Sequence, residues 1–202
     1  MKTLKNDSIL RMTELAILTA IVILLQTLAN FVPVTATAGN LSLIPIAIGA
    51  MLLGPRGGAW LGFVCGTVIF LLGLFGLEPV PFVSLLLQVT PVITCLLCIV
   101  KTTVAGLVAG LVFRLLSGKG RLLAVGVSSA LVPLVNTGLF FLGSLTILEP
   151  IRTAFELGDA NVVTVILTVF IGVNFLIELP TVLILTPAVE RIMSIVSKGK
   201  KA

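Results

Sequence analysis

Six polar side chains interrupt the long apolar runs of this chain and are the first candidates for chemistry: Gln26, Asn30, Lys101, Asn136, Asn174 and Glu178. Amides donate and accept hydrogen bonds, an ammonium donates and a carboxylate accepts, so the set is equipped to hold a small polar solute. It is not equipped to break bonds. The chain contains no His, so a rhomboid-like or zinc-dependent intramembrane hydrolase would lack its usual base or ligands. Ser117-Gly118-Lys119-Gly120 does not fit G-x-x-x-x-G-K-[ST], so no P-loop ATPase is encoded. No acidic cluster suits a metal for phosphoryl or alcohol transfer. Cys95 and Cys98 form a C-x-x-C, but neither His nor a further Cys stands beside them; with Cys65 they are expected to be small apolar packing residues. No catalytic residue, metal or cofactor is expected.

The surroundings of these six residues define their task. Of 202 residues, 58% are hydrophobic and 10% charged, with a mean hydropathy of +1.26, against about 25% charged in a soluble domain. The expected solvent is therefore a lipid bilayer. The formal charge of +5 does not indicate nucleic acid, because Lys and Arg sit in short clusters between apolar runs and form no single basic face. With Gly, Pro and charge as punctuation, six spanning helices are expected at about 10–31, 41–54, 58–76, 91–116, 122–147 and 162–192, in one membrane domain covering 1–202. The segment 12–38 imitates a signal peptide, but its apolar stretch is long and more membrane follows, so it is taken as the first span. Gly54-Pro55-Arg56-Gly57-Gly58 marks a tight turn between the second and third helices. The interrupted segment 77–90, with Glu78, Pro79 and Pro81, is expected as a partly inserted loop.

Basic residues near helix ends set orientation. Lys2, Lys5, Arg11, Arg56, Arg114, Lys119, Arg121, Arg191, Lys198, Lys200 and Lys201 fall on one side, whereas Arg152 is alone among Glu78, Glu149, Glu156 and Asp159 on the other. Both termini are expected to be cytoplasmic, which requires an even number of spans.

A rise of about 1.5 Å per residue from the basic residue at each helix end puts Gln26, Lys101, Asn136, Asn174 and Glu178 at a common depth of about 20 to 26 Å. Four helices thus present polar groups in one layer of the outer half of the bilayer. Asn174 and Glu178, at i and i+4, share a helix face. Any one amide is explained equally by an interhelical hydrogen bond, worth about 0.6 kcal/mol. Lys101 and Glu178 need more, since a charge at that depth costs at least about 2.5 kcal/mol without a partner or a wet cavity. Either the two form an ion pair or Lys101 receives an anionic ligand.

Small residues recur at four-residue spacing, as Ala16 and Ala20, as Gly58, Gly62 and Gly66, and as Gly106 and Gly110. The spacing allows close helix approach. The glycine stripes suit packing inside the bundle; the alanine pair suits either packing or docking to a partner protein. Six helices without inverted repeats or an ATPase are little for an autonomous pump, which points to a binding subunit that needs partners.

With Ala16/Ala20 behind a short basic tail, Ile-Gly-Ala-Met-Leu-Leu-Gly-Pro-Arg-Gly-Gly-Ala at 48–59 and Ala-Gly-Leu-Val-Ala-Gly-Leu at 105–111, the chain resembles the substrate-binding S components of energy-coupling factor (ECF) transporters, a bacterial and archaeal vitamin-uptake family. The resemblance covers nearly the whole chain. It implies an S-component-like bundle of six helices in a bacterial cell membrane, a vitamin site near the outer face, and an importer completed by a transmembrane coupling protein and two cytoplasmic ATPases. It assigns Ala16 and Ala20 to the contact with the coupling protein, and it implies that the subunit tips over in the membrane to release its vitamin.

The ligand is narrowed by what the chain lacks. There is no Tyr, and Trp60 follows the basic-side turn far from the polar layer, so a flat ring would find only Phe to stack on. One lysine with amides and a carboxylate suits a flexible, hydroxylated anion, and similarity of the 41–60 and 171–190 regions to pantothenate-type S components makes pantothenate the first choice. The other class of reading is a membrane scaffold or assembly protein whose polar layer only locks helices together.

Overall fold

A computed structural model describes residues 2–28, 41–77 and 82–199; within them the side chains of 2–7, 170, 173, 174, 193 and 195–199 lie outside the description. All regular structure among the described residues is helical: α1 (Lys2–Leu28), α2 (Leu43–Leu52), α3 (Pro55–Leu74), α4 (Phe82–Val89), α5 (Pro91–Leu116), α6 (Arg121–Ser144), α7 (Leu148–Ala154), α8 (Val162–Val165) and α9 (Val173–Gly199). A π-helical stretch, Ile166–Gly172, joins α8 to α9. Among the described residues, four segments are long and apolar enough to cross a membrane: Ser8–Leu28, Pro55–Leu74, Pro91–Leu116 and Arg121–Ala154. Their outward faces are studded with large apolar side chains, among them Val92, Leu115 and Leu142. Water would penalise such a surface and lipid does not.

The bundle is organised around α2. This ten-residue helix is apolar all round, buries Leu43, Pro45, Ile46, Ala47, Gly49, Ala50 and Met51, and touches α1, α3, α5, α6 and α9. A helix without a polar face belongs inside. Its length of about 15 Å, at 1.5 Å per residue, is half a hydrocarbon core, so α2 by itself is shorter than the span expected at 41–54. Its neighbours, not the bilayer, set its length.

The turn expected over 54–58 is narrower than its composition suggests. Gly54 alone makes it, at φ 82°, a region open to glycine. Pro55 then occupies the first helical position, where its missing N–H is not needed. Helix α3 therefore starts three residues before the expected 58, and Gly57 and Gly58 are already buried within it.

The closest packing joins α3 to α5. A Cβ on Gly58 would land on the carbonyl oxygen of Gly106, one on Gly106 on that of Gly58, and one on Gly62 on that of Thr102; Gly66 similarly faces Cys98 and Gly110 faces Pro55. The glycine stripes are thus internal packing, as their spacing suggests, and two backbones meet without intervening side chains.

The segment expected as a loop at 77–90 contains a helix, α4, which buries Val83 and Leu86 and packs on α3, α5 and α7. Residues 78–81 lie outside the described residues. A second apolar cluster, of Leu86, Ile147, Ile151, Val162 and Ile166, closes this end of the bundle. Asn161 caps α8, its Oδ1 accepting from the amides of Val163 at 3.0 Å and Thr164 at 3.3 Å. At the opposite end the basic residues gather. Arg11, Gly54, Arg114 and Ser117 border one cavity, and Arg121 pairs with Glu190 at 3.2 Å.

Candidate functional site

Near the middle of α5, Lys101 is half-buried, and its Nζ stands 4.8 Å from the centroid of the Phe140 ring on α6. A cation at that distance from a ring face gains about 0.5 to 2 kcal/mol, more as water is excluded. Phe140 in turn meets Phe82 of α4, with centroids 5.3 Å apart and planes at 56°. Phe82 meets Phe155 at 5.4 Å. The three rings bring α4, α6 and the turn after α7 together, with the Lys101 ammonium over the Phe140 ring.

Asn136 precedes Phe140 by four residues and shares its face of α6. It is 8% exposed, and its Oδ1 has no hydrogen-bond partner among the described residues. A buried acceptor in that state costs roughly 1 to 3 kcal/mol. Further along α6, the hydroxyls of Ser128 and Ser129 are fully buried in the same condition.

Glu178 on α9 is 5% exposed and interacts electrostatically with Lys101. The ion pairs among the described residues, Arg121 with Glu190 and Arg152 with Glu149, do not join these two directly. The Lys101 charge also reaches Cys65 on α3. The Lys101 charge thus acts on Glu178 of α9 and Cys65 of α3, while Asn136 shares its face of α6 with the ring that Lys101 meets.

Gln26 belongs to a different arrangement. Its Oε1 accepts a hydrogen bond from Ser42 Oγ at 2.9 Å, and Cys65 Sγ lies 3.7 Å from that oxygen and 3.3 Å from Ser42 Oγ. These buried groups tie α1, the start of α2 and α3 together. Asn30 lies outside the described residues. The backbone of Asn174 belongs to α9, but its side chain is outside the description.

On α1, Leu18, Val22 and Gln26 face the core, whereas Ala16 and Ala20 are exposed on the opposite side. The exposed pair has Ile17, Ile21 and Leu24 as exposed neighbours. A strip with small residues between large ones leaves room for another helix.

Sequence reasoning missed Ser42, Phe82, Phe140, Phe155, Ser128 and Ser129, and it assigned Cys65 to packing alone. Phe140 had a signal, since it lies one turn from Asn136 on the same face. Phe82 had none, because its segment shows no helical pattern long enough to fix a face.

A family model described as "ECF transporter, substrate-specific component" matches residues 10–190. No curated protein and no solved structure matches the chain.

Proposed function

The chain belongs to the family of ECF transporter substrate-specific components, and from that premise we propose that it captures a small vitamin within the membrane, with Lys101 supplying the counter-charge to an anionic group of the ligand. The observation that carries this reading is the convergence of the Lys101 ammonium, the Phe140 ring and the buried, unpartnered Asn136 acceptor on facing helices. A ring attracts the charge but does not use up the three N–H donors of the ammonium. A ligand carboxylate can take those donors, while an amide or hydroxyl of the ligand can satisfy Asn136. Glu178, Asn174 and Asn30 complete the proposed site as polar neighbours, and Gln26 is held beside it by Ser42 and Cys65.

In this reading the helices cross the membrane six times, both termini are cytoplasmic, and the site opens toward the outer face. Gathering of the basic helix ends at one end of the bundle supports that orientation. The exposed Ala16/Ala20 strip docks on the transmembrane coupling protein, and two ATPases on the cytoplasmic side drive uptake. Pantothenate is the first candidate, because a flexible, hydroxylated carboxylate with an amide matches one cation among amides. The lining offers Phe and no Tyr or Trp for stacking.

Purification in mild detergent tests the reading. Mass spectrometry of the denatured preparation should release a small polar molecule, and titration of ligand-stripped protein with pantothenate and related vitamins should show saturable binding. A preparation that carries nothing and binds none of these vitamins would leave a scaffold whose polar layer only locks helices.

A further inference from the structure

At the basic end of the bundle, a cavity of about 180 Å³ opens between α1, the α2–α3 turn and the last turn of α5, bordered by Arg11, Met51, Gly54, Phe113, Arg114 and Ser117. We propose that it binds the phosphate of an anionic phospholipid headgroup, between the guanidinium groups of Arg11 and Arg114. No acidic side chain borders the cavity, and neither arginine has an ion-pair partner among the described residues. The guanidinium of Arg114 lies against the α2–α3 turn, where a Cβ on Gly54 would stand 2.6 Å from its Nη2. A cation in the last turn of α5 also suits the helix dipole. That account does not extend to Arg11, which lies well inside α1.

Two guanidinium groups with several N–H donors each match a phosphate's oxygens better than a single carboxylate. The setting selects a lipid over a free anion. The cavity lies at the ends of two membrane-length helices, where headgroups reside, and its surroundings carry outward apolar side chains, Met12 at 70% and Leu115 at 77% exposure, along which acyl chains can lie. Basic pockets between helices at the membrane surface take anionic headgroups for these reasons. The site is remote from Lys101 and independent of the vitamin reading.

The test uses full-length protein reconstituted in phosphatidylcholine nanodiscs with a minor fraction of phosphatidylglycerol, with lipids retained after gentle release counted by native mass spectrometry. Wild type should retain phosphatidylglycerol preferentially. Arg114→Gln should weaken that retention about fivefold and the double variant with Arg11→Gln about 30-fold, at about one surface-charge interaction per arginine. Arg56→Gln, exposed and outside the cavity, should behave as wild type. Should Arg114→Gln fail to fold, Arg11→Gln alone carries the same expectation. Retention unchanged in the folded variants would overturn the site. Displacement of the lipid by millimolar inorganic phosphate or glycerol phosphate would overturn the lipid as its occupant and make the pocket a soluble-phosphate site.

Discussion

Lys101 and Phe140 meet across the α5–α6 interface with the ammonium 4.8 Å from the ring centroid, one helical turn from Asn136. A ring against a cation inside an apolar bundle stabilises the charge without itself consuming the ammonium's hydrogen-bond donors. A carboxylate held directly against it would neutralise it and consume donors; a ring does only part of that.

Replacing Lys101 by Met keeps the length and removes the charge. Loss of one charge partner in a desolvated site costs about 2 to 5 kcal/mol of binding, or roughly 30- to several-thousand-fold in affinity. Calorimetric titration of folded, monodisperse wild type and Lys101→Met with pantothenate checks it. Equal affinities would reassign Lys101 to a structural role beside Glu178, with lowered thermal stability as its signature.

Phe140→Leu should weaken vitamin binding by about 2- to 30-fold, the span of a cation–π contribution, whereas Phe140→Tyr should stay near wild type. The same titration reads both. If Tyr and Leu were equally damaging, ring shape and not the ring's charge distribution would be in control.

Ala16→Trp combined with Ala20→Trp should abolish energised uptake by cells while the purified subunit binds its vitamin as before. Both side chains are exposed and face away from the core, so bulk there obstructs a neighbour and spares the fold. Uptake at the wild-type rate would remove the docking role; lost binding by the isolated subunit would make the pair packing residues.

Gly62→Leu should destabilise the protein by about 1 to 3 kcal/mol or prevent folding, because its Cβ would meet the Thr102 carbonyl. Gly118→Leu, with open space around it, is the control. Thermal unfolding in detergent compares them, and similar midpoints would show that α3 and α5 can separate freely.

Reporter fusions at 119 and at the C-terminus should read as cytoplasmic, and a fusion at 156 as external. A cytoplasmic signal at 156 overturns the six-span arrangement.

The long helices were legible because hydropathy, Gly, Pro and charge mark them locally. The turn at 54–58 was legible but its end was not, since Pro55 already begins α3, and the four-residue glycine spacing announced close packing inside the bundle without naming α5 as the partner of α3. What stayed hidden depends on partners distant in sequence. Helix α4 has eight residues, too few for a periodic pattern to be decisive, and its burial comes from α3, α5 and α7. The pairing of Gln26 with Ser42 joins residues 16 apart across an unpatterned stretch. Phe82, Phe140 and Phe155 look like ordinary apolar residues until three elements bring them together. Common depth grouped Gln26 with Lys101, Asn136 and Glu178, but depth carries no azimuth, so the contact of Gln26 with Ser42 and Cys65 was not legible in it.

The glycine contact between α3 and α5 has a mechanical consequence. Where two backbones touch through carbonyl oxygens and α-carbons, there are no rotamers to exchange and no side-chain ridges to climb over, so the two helices have no cheap sliding coordinate. They form a spar, with α2 wedged along it. Any reorientation of the subunit in the bilayer has to carry the spar as one rigid member, and the compliance needed to open or close around a ligand falls to elements outside it: α1, the short α4 and the π-helical stretch leading into α9.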